Sequence, residues 1–379
     1  MKLAILAQGW LHDKTAKVNG TLVQLHNLTV AFAERGVEVH YIATTGDKTK
    51  PGTEQTNGVT FHWLQTDNQV LGWKKNMLLY RKILEGIHPD ALYVRGRNVF
   101  QYVAGRYAHK NNKIFVWGTN GDDGAEFWKN TRRLLASSKG PGKKILLLPL
   151  KILEDRYINI GMKMPSVIVN QSVQQQESTR TILHKEGIIL PSYFLPVDNQ
   201  IKKENLILWL ANLSHGKQPE VFIQMIRDLN MQSWKALLGG GTTDAIYASK
   251  IKNLISGLPI QLAGKITFRD SQSFYQKARL YVNTSKTGSD GLPNAYIQSW
   301  LSGTPVLSLH HDPNNWLNER GIGFCANGNY DRLKQKLQQL INEPSQIIEM
   351  GRNAQQFAEG TFSNAAIIDK YFNLFKGVE

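Results

Sequence analysis

Three strand-to-helix junctions in the second half of the chain hold the residues best suited to phosphate chemistry. In NLILWLANLSHGKQPEVFIQMI an apolar run ends at Ala211, a loop carries Asn212 and Lys217, and Pro219 takes the first position of the next helix. In KALLGGGTTDAIYASKI a second run enters Gly239, Gly240 and Gly241, with Thr242 or Thr243 placed to cap a helix. In NTSKTGSDGLPNAYIQSWLSGTPVLS a turn opens at Asp290 and Gly291, followed by Leu292 and Pro293. A short helical spacing then runs through Asn294 and Gln298 until Gly303 and Pro305 stop it. Helix starts expose unpaired N–H groups at the positive end of the helix dipole, so they attract phosphate. Lys217 adds a full positive charge, and Gly291 lets the backbone approach a ligand. The pattern points to a nucleotide diphosphate held by Lys217 and the amides of residues 291–294. Such junctions occur in every doubly wound domain and most go unused, so the glycine run at 239–241 also reads as an ordinary turn.

The elements that position these loops alternate between strand-like and helical patterns. Leu3 to Ala7 reads as a buried strand, and Leu22, Leu25, Leu28 and Phe32 line one face of a helix from Thr21 to Arg35. Gly36 ends that helix, and Val37 to Ala43, Ala91 to Val94, Lys113 to Trp117 and Val167 to Asn170 follow as strands. The pattern pauses at 189–203, where Pro191 and Pro196 mark a linker. It restarts with Leu206 to Ala211, Lys235 to Leu238, Pro259 to Leu262, Leu280 to Asn283 and Thr304 to Leu309, before a helix-rich tail at 331–376. Strands alternating with helices imply parallel sheets covered on both faces. The expected fold class is α/β, two tandem doubly wound (Rossmann-like) domains facing a central cleft, 1–190 and 204–363 about a linker at 191–203.

The composition narrows the partners. A chain of 379 residues, 41% hydrophobic and 20% charged, is globular and long enough for two cores. A single cysteine, Cys325, rules out a disulfide framework. The opening MKLAIL has too short an apolar run for a signal peptide, and no stretch reaches the length of a membrane span, so a soluble, cytoplasmic protein is expected. The net charge of +15 calls for an anionic partner. Nucleic acid is excluded, because no basic block with interleaved aromatics and no zinc-finger spacing is present. The segment RRLLASSKGPGKKILLLPLK, residues 132–151, mixes basic and apolar residues as a helix lying on an anionic membrane surface does, and reads equally as a solvated loop before a core segment. The absence of an Asp-x-Asp motif or His/Cys cluster leads to the expectation of no metal and no cofactor. His310-His311-Asp312 reads as loop structure or a sugar contact, and Trp10 as core or a sugar-stacking ring.

The third junction resembles the Glu-x7-Glu region of retaining GT-B glycosyltransferases of the family 4 type, the group 1 glycosyl transferases. LWLANLSHGKQPEVF resembles the donor segment of that family, where Arg and Lys lie five residues apart. Asn19-Gly20 resembles its glycine-rich loop, and HPDALYVRGR and KIFVWGTNGDD resemble later strands of its acceptor domain. The resemblance implies a retaining, metal-independent transfer from a nucleotide diphosphate sugar, UDP or GDP based, to a saccharide or lipid-linked saccharide acceptor. Cell-envelope polysaccharide synthesis at the inner membrane face is the implied setting. It assigns the diphosphate to Lys217, the transferred sugar to Asp290, the helix-start amides to Gly291, Leu292, Pro293 and Asn294, and the ribose to Gln298. Gly240 belongs to the same donor side. It places Asn19, Gly20, Arg95 and Asp122 on the acceptor side, and brings the last helix, within 364–379, back onto the first domain.

The chain departs from the family pattern at three positions. Asn212 stands where the family has Arg, Asp290 where it has Glu, and Gln298 where it has a second Glu. A carboxylate accepts two ribose hydroxyls, whereas a Gln amide offers one acceptor and one donor face. No His occupies the acceptor loop at 118–126; Asn120, Asp122 or Asp123 takes that place or caps the loop. Arg95 and Arg97 follow a strand end as acceptor-phosphate contacts or surface arginines. A nucleotide-sugar epimerase of the same fold and a catalytically silent nucleotide-sugar-binding module are the alternative readings.

Overall fold

The run KLAIL forms β1 (Lys2–Leu6) in the computed structural model, which describes residues 1–16, 19–50, 52–66, 71–121, 123–137, 139–286 and 292–377. Leu3 to Leu6 are at most 1% exposed, as a strand covered on both faces requires. Parallel partners flank it, β2 (Glu38–Thr45) on one side and β5 (Ala91–Arg95) on the other. Beyond β5 lie β6 (Ile114–Gly118), β7 (Val167–Asn170) and the two-residue β8 (Ile188–Ile189). Beyond β2 lie β4 (Val59–Gln65) and β3 (Gly52–Thr56), the latter antiparallel. Asn57 and Gly58, both at positive φ (51° and 75°), make the tight turn that joins β3 to β4. Helices α1 (Gly20–Glu34), α2 (Gly72–Ile87), α3 (Phe100–Asn111), α4 (Lys129–Ala136), α5 (Pro141–Gly161) and α6 (Val173–Leu183) connect these strands.

A second sheet begins at β9 (Glu204–Leu210) and continues with β10 (Lys235–Gly239), β11 (Ile260–Gly264), β12 (Ala278–Asn283), β13 (Val306–Ser308) and β14 (Gly323–Cys325). Its order is β11-β10-β9-β12-β13-β14, all parallel. Between and after the strands come α7 (Pro219–Asp228), α8 (Ala245–Leu254), α9 (Phe268–Lys277), α10 (Asn294–Leu301), α11 (Trp316–Glu319), α12 (Tyr330–Asn342) and α13 (Pro344–Phe362). Trp209, Phe222, Leu238, Leu280, Leu307 and Leu337 belong to its core.

The chain divides into one unit of Met1–Leu195 with Asn364–Glu379 and another of Pro196–Ser363, so the division falls inside the proline-marked stretch 191–203. The last helix, α14 (Ala365–Lys376), belongs to the first unit, where the Phe375 ring lies 5.4 Å from Phe32 and 5.9 Å from Tyr93.

Two readings of the sequence need correction. Neither Thr242 nor Thr243 caps α8; Asp244 does, its carboxylate accepting from Tyr247 N at 3.0 Å. The strands β3, β4, β8 and β14 went unread. All of β3 is exposed, so no apolar alternation betrays it, and β14 is three residues long.

The first unit also contains histidines kept neutral by packing. The His26 ring on α1 sits 5.0 Å from Trp10 and 4.6 Å from His12, and burial together with His12 pushes its pKa down to about 4. His62 on β4, bonded to His40 at 2.9 Å, is pushed down to about 4 by burial and by His40. Above the ordinary histidine value of about 6.5 both rings are neutral in folded and unfolded chains. As pH falls from there toward 4 the unfolded chain takes up protons first, so stability is lost across that window. The melting temperature of the first unit is therefore expected to drop steadily between about pH 6.5 and 4, less so in His26→Gln. A flat profile in scanning calorimetry would contradict the packing of both rings.

Candidate functional site

In both sheets the strand order reverses beside the first strand of the unit, and such a switch leaves a crevice at the carboxyl ends of the strands. The switch lies between β1 and β5 in the first unit and between β9 and β12 in the second.

In the second unit Lys217 lies in a tightly bonded β9–α7 loop. The Lys217 and Gln218 N–H groups both bond Ser214 O, at 3.0 and 3.3 Å, and Gln218 takes a left-handed φ of 50°. Pro219 then starts α7, where a missing N–H costs nothing. The loop is tied to the end of β12 by the fully buried Thr284, whose hydroxyl lies 2.8 Å from the carbonyls of both Lys217 and Gln218. That hydroxyl in turn accepts from Trp209 Nε1 at 2.9 Å. A backbone bond from Lys286 N to Gly216 O, 2.9 Å, closes the same seam. The Lys217 loop and the end of β12 are thus held together, though far apart in sequence.

Helix α10 starts at Asn294 behind Pro293, which supplies no side-chain cap, and Tyr296 N in the first turn bonds Pro293 O at 3.0 Å. Leu292, Pro293 and Asn294 are partly exposed at this start. Asp290 and Gly291 lie outside the described residues. Gln298, one turn further on, is 6% exposed, and its amide nitrogen donates to Ser271 Oγ on α9 at 3.3 Å. Its side chain thus meets α9 in this structure. Asn212 is exposed in the Lys217 loop.

Gly240 has a structural reason of its own. A Cβ there would stand 1.8 Å from Ala211 O, so only glycine lets the β10 and β9 loops approach. His310-His311-Asp312 is loop structure. Asp312 accepts from Leu317 N at 2.8 Å and Asn318 Nδ2 at 3.3 Å, and the His311 carbonyl accepts from Tyr296. No group of three or more His, Cys, Asp or Glu side chains arranged for a metal occurs among the described residues.

In the first unit two adjoining cavities open at the β1/β5 switch. The smaller, about 140 Å³, is bordered by Gln8, Asn19, Thr21, Arg95, Arg97 and Asn120. Asn19 caps α1, accepting from Leu22 N at 3.1 Å, and Gly20 is the first helical residue. Asn120 reaches Thr21 Oγ1 across the mouth. Asp122 lies outside the described residues, and Asp123 pairs with Lys129. Arg95 is not a surface contact for phosphate. It is 2% exposed, donating to Gln24, to the Tyr93 hydroxyl at 2.9 Å and to Ser192 at 3.4 Å. Arg97 is likewise engaged, by Asp155 at 2.8 Å and the Glu126 carbonyl at 3.2 Å. The larger cavity, about 350 Å³, shares Gln8, Arg97 and Asn98 with the smaller one and adds Trp73, Asn76 and Asn130. Of these residues the sequence reading names Asn19, Arg95, Arg97 and Asn120; Gln8, Trp73 and Asn76 carry no local signal.

The segment 132–151 folds as α4 and the first half of α5, joined by Lys144 Nζ donating to Leu135 O at 2.7 Å. One face of α5 is a solvent-exposed apolar stripe, with Ile145 and Leu146 each 72% and Ile152 42% exposed, beside exposed Lys143 and Arg156. Neither the solvated loop nor the core segment describes it. No helix among the described residues is long and apolar enough to cross a membrane.

The chain is similar to known proteins over much of its length. Residues 204–343, most of the second unit, match the family described as glycosyl transferases group 1. An alpha-1,4-N-acetyl-D-galactosaminyltransferase of Campylobacter jejuni, named for an undecaprenol-linked glycan substrate, is 25% identical over 179 residues, 45% of this chain and 48% of that protein. A poly(ribitol-phosphate) alpha-N-acetylglucosaminyltransferase of Staphylococcus aureus is 23% identical over 235 residues, 59% of this chain and 46% of that one. The chain thus spans about half the length of the curated relatives it matches. Sucrose-phosphate synthase from Thermosynechococcus elongatus superposes with a TM-score of 0.73 at 14% identity, covering 99% of this chain and 98% of the other. That likeness establishes the architecture, two doubly wound units of GT-B type.

Proposed function

We propose that this GT-B chain, whose second unit is a glycosyl transferases group 1 domain, moves a sugar from a nucleotide diphosphate to a saccharide or lipid-linked saccharide acceptor, with retention at the anomeric carbon. The observation that supports the reading is the seam at the β9/β12 switch, where Thr284 and the Gly216–Lys286 bond tie the Lys217 loop to the end of β12, the strand that precedes α10. As the bond from the anomeric carbon to the diphosphate oxygen breaks, negative charge builds on the leaving diphosphate. Lys217 and the amides at the α10 start stabilise that charge without a metal. Asp290 is the carboxylate assigned to the transferred sugar. The cavities at the β1/β5 switch take the acceptor, whose hydroxyl attacks. The names of the two curated relatives favour a glycan acceptor over a small sugar, which fits cell-envelope polysaccharide synthesis.

A thermal-shift panel of UDP, GDP, ADP and their sugar conjugates, with and without Mg²⁺, tests the donor half. A ligand at 100 times its dissociation constant stabilises by about 2.7 kcal/mol. A shift with one base that does not need Mg²⁺ is expected. No shift with any nucleotide would count against the donor assignment, binding without nucleotide release under any acceptor would favour the silent binding module, and conversion of a sugar nucleotide without acceptor would favour the epimerase.

The apolar stripe of α5 is proposed to rest on an anionic membrane surface, its isoleucines and leucine dipping among the head groups while Lys143 and Arg156 meet lipid charge. Sedimentation with phosphatidylglycerol vesicles is expected, and Ile145→Ser with Leu146→Ser should abolish it. Equal sedimentation of variant and parent would end this idea without touching the donor assignment.

A further inference from the structure

We infer that the larger cavity of the first unit is a subsite for an uncharged sugar ring of the acceptor, and that it rejects an anionic group. This rests on the transferase reading above and names the chemistry of its acceptor. The volume, about 350 Å³, is at the low end of small-molecule sites, which suits a short saccharide. Trp73, at the start of α2, borders the cavity and packs edge-on against Tyr157 at 5.6 Å, a ring held in place for the C–H face of a sugar. Gln8, Asn76 and Asn130 surround it with amides, which both donate and accept, as sugar hydroxyls do.

The charges decide the class. An anionic ligand needs an uncommitted cation in the wall, and the described residues that border the cavity do not offer one. Arg97 spends its charge on the fully buried Asp155 at 2.8 Å. Glu154, the other charged residue of the wall, is paired with Lys151. A phosphate or uronate placed here would lose its hydration with no counter-charge to replace it. The amide of Asn76 completes the argument. Its Oδ1 is buried and finds no hydrogen-bond donor among the described residues. A buried acceptor left unmet is costly, and a hydroxyl of a ring seated on Trp73 would meet it.

The test uses the full chain and intrinsic tryptophan fluorescence, titrated with neutral N-acetylhexosamine disaccharides and with the same sugars phosphorylated. Saturable binding of at least one neutral disaccharide is expected, weakened about tenfold or more by phosphorylation, as the loss of a satisfied polar contact would give. Trp73→Ala and Asn76→Leu should each weaken neutral binding by a similar factor. Asn76→Leu should keep or raise the melting temperature, because it removes an unmet polar atom. Since Trp73→Ala loses the reporting ring, its binding is read by calorimetry. Equal or tighter binding of the phosphorylated sugars, parent-like binding by both variants, or no saccharide binding at all would overturn the inference. Nucleotide-induced thermal shift on the same samples separates the two readings. A retained shift with any of those outcomes defeats the neutral-sugar subsite alone, whereas loss of the shift in the parent chain defeats the transferase reading itself.

Discussion

Replacing Lys217 by alanine is expected to lower turnover at saturating donor by about 10²–10³-fold, some 2.7–4 kcal/mol of transition-state stabilisation. The loss falls on chemistry, because the leaving diphosphate gains its charge only as the glycosidic bond breaks. The fold should survive, since the loop is held through backbone atoms that alanine keeps. Lys217 N bonds Ser214 O, and Lys217 O faces the Thr284 hydroxyl. The decisive pairing is therefore kcat beside melting temperature, with kcat collapsing and the melting temperature nearly constant. Near-parental kcat would remove Lys217 from the mechanism. Equal falls in both would mean that the side chain supports the loop.

Asp155→Ala should destabilise the first unit by about 3–5 kcal/mol, the usual cost of breaking a buried pair and stranding its partner. The Asp155 side chain is 0% exposed and that of Arg97 7%. The same carboxylate accepts from Thr131 N at 2.7 Å and Asn130 N at 3.4 Å, so it also fixes the start of α4 against α5. Asn at this position keeps one carbonyl acceptor and should lose less than alanine. Denaturant unfolding of both variants reads the difference, and a loss of under about 1 kcal/mol for alanine would show that the pair does little for the fold.

The donor loop was legible in the sequence because its signals are local. Pro219 can open a helix but not continue one, and Gly303, at φ 64°, stops α10 where other residues would be strained. Buried runs such as VIVN at β7 announce a parallel strand by their lack of polar alternation. The antiparallel β3 escaped because its residues face water and carry no pattern, although the Asn57-Gly58 turn beside it was a usable sign.

By itself, then, the sequence determined the two α/β units, the placing of Lys217 and the α10 start at strand ends, and the excess of positive charge. Only the tertiary structure decided which side chains remain available to a ligand. Arg95 and Arg97 look alike as residues after a strand, yet one is consumed by Gln24 and Tyr93 and the other by Asp155, 58 residues away. Gln298 stands at a ribose position by resemblance, and its amide meets Ser271 on α9. Periodicity and backbone sterics act over a few residues and so are written along the chain. Hydrogen bonds and ion pairs act over a few ångströms, and which groups come that close is settled only when the elements pack.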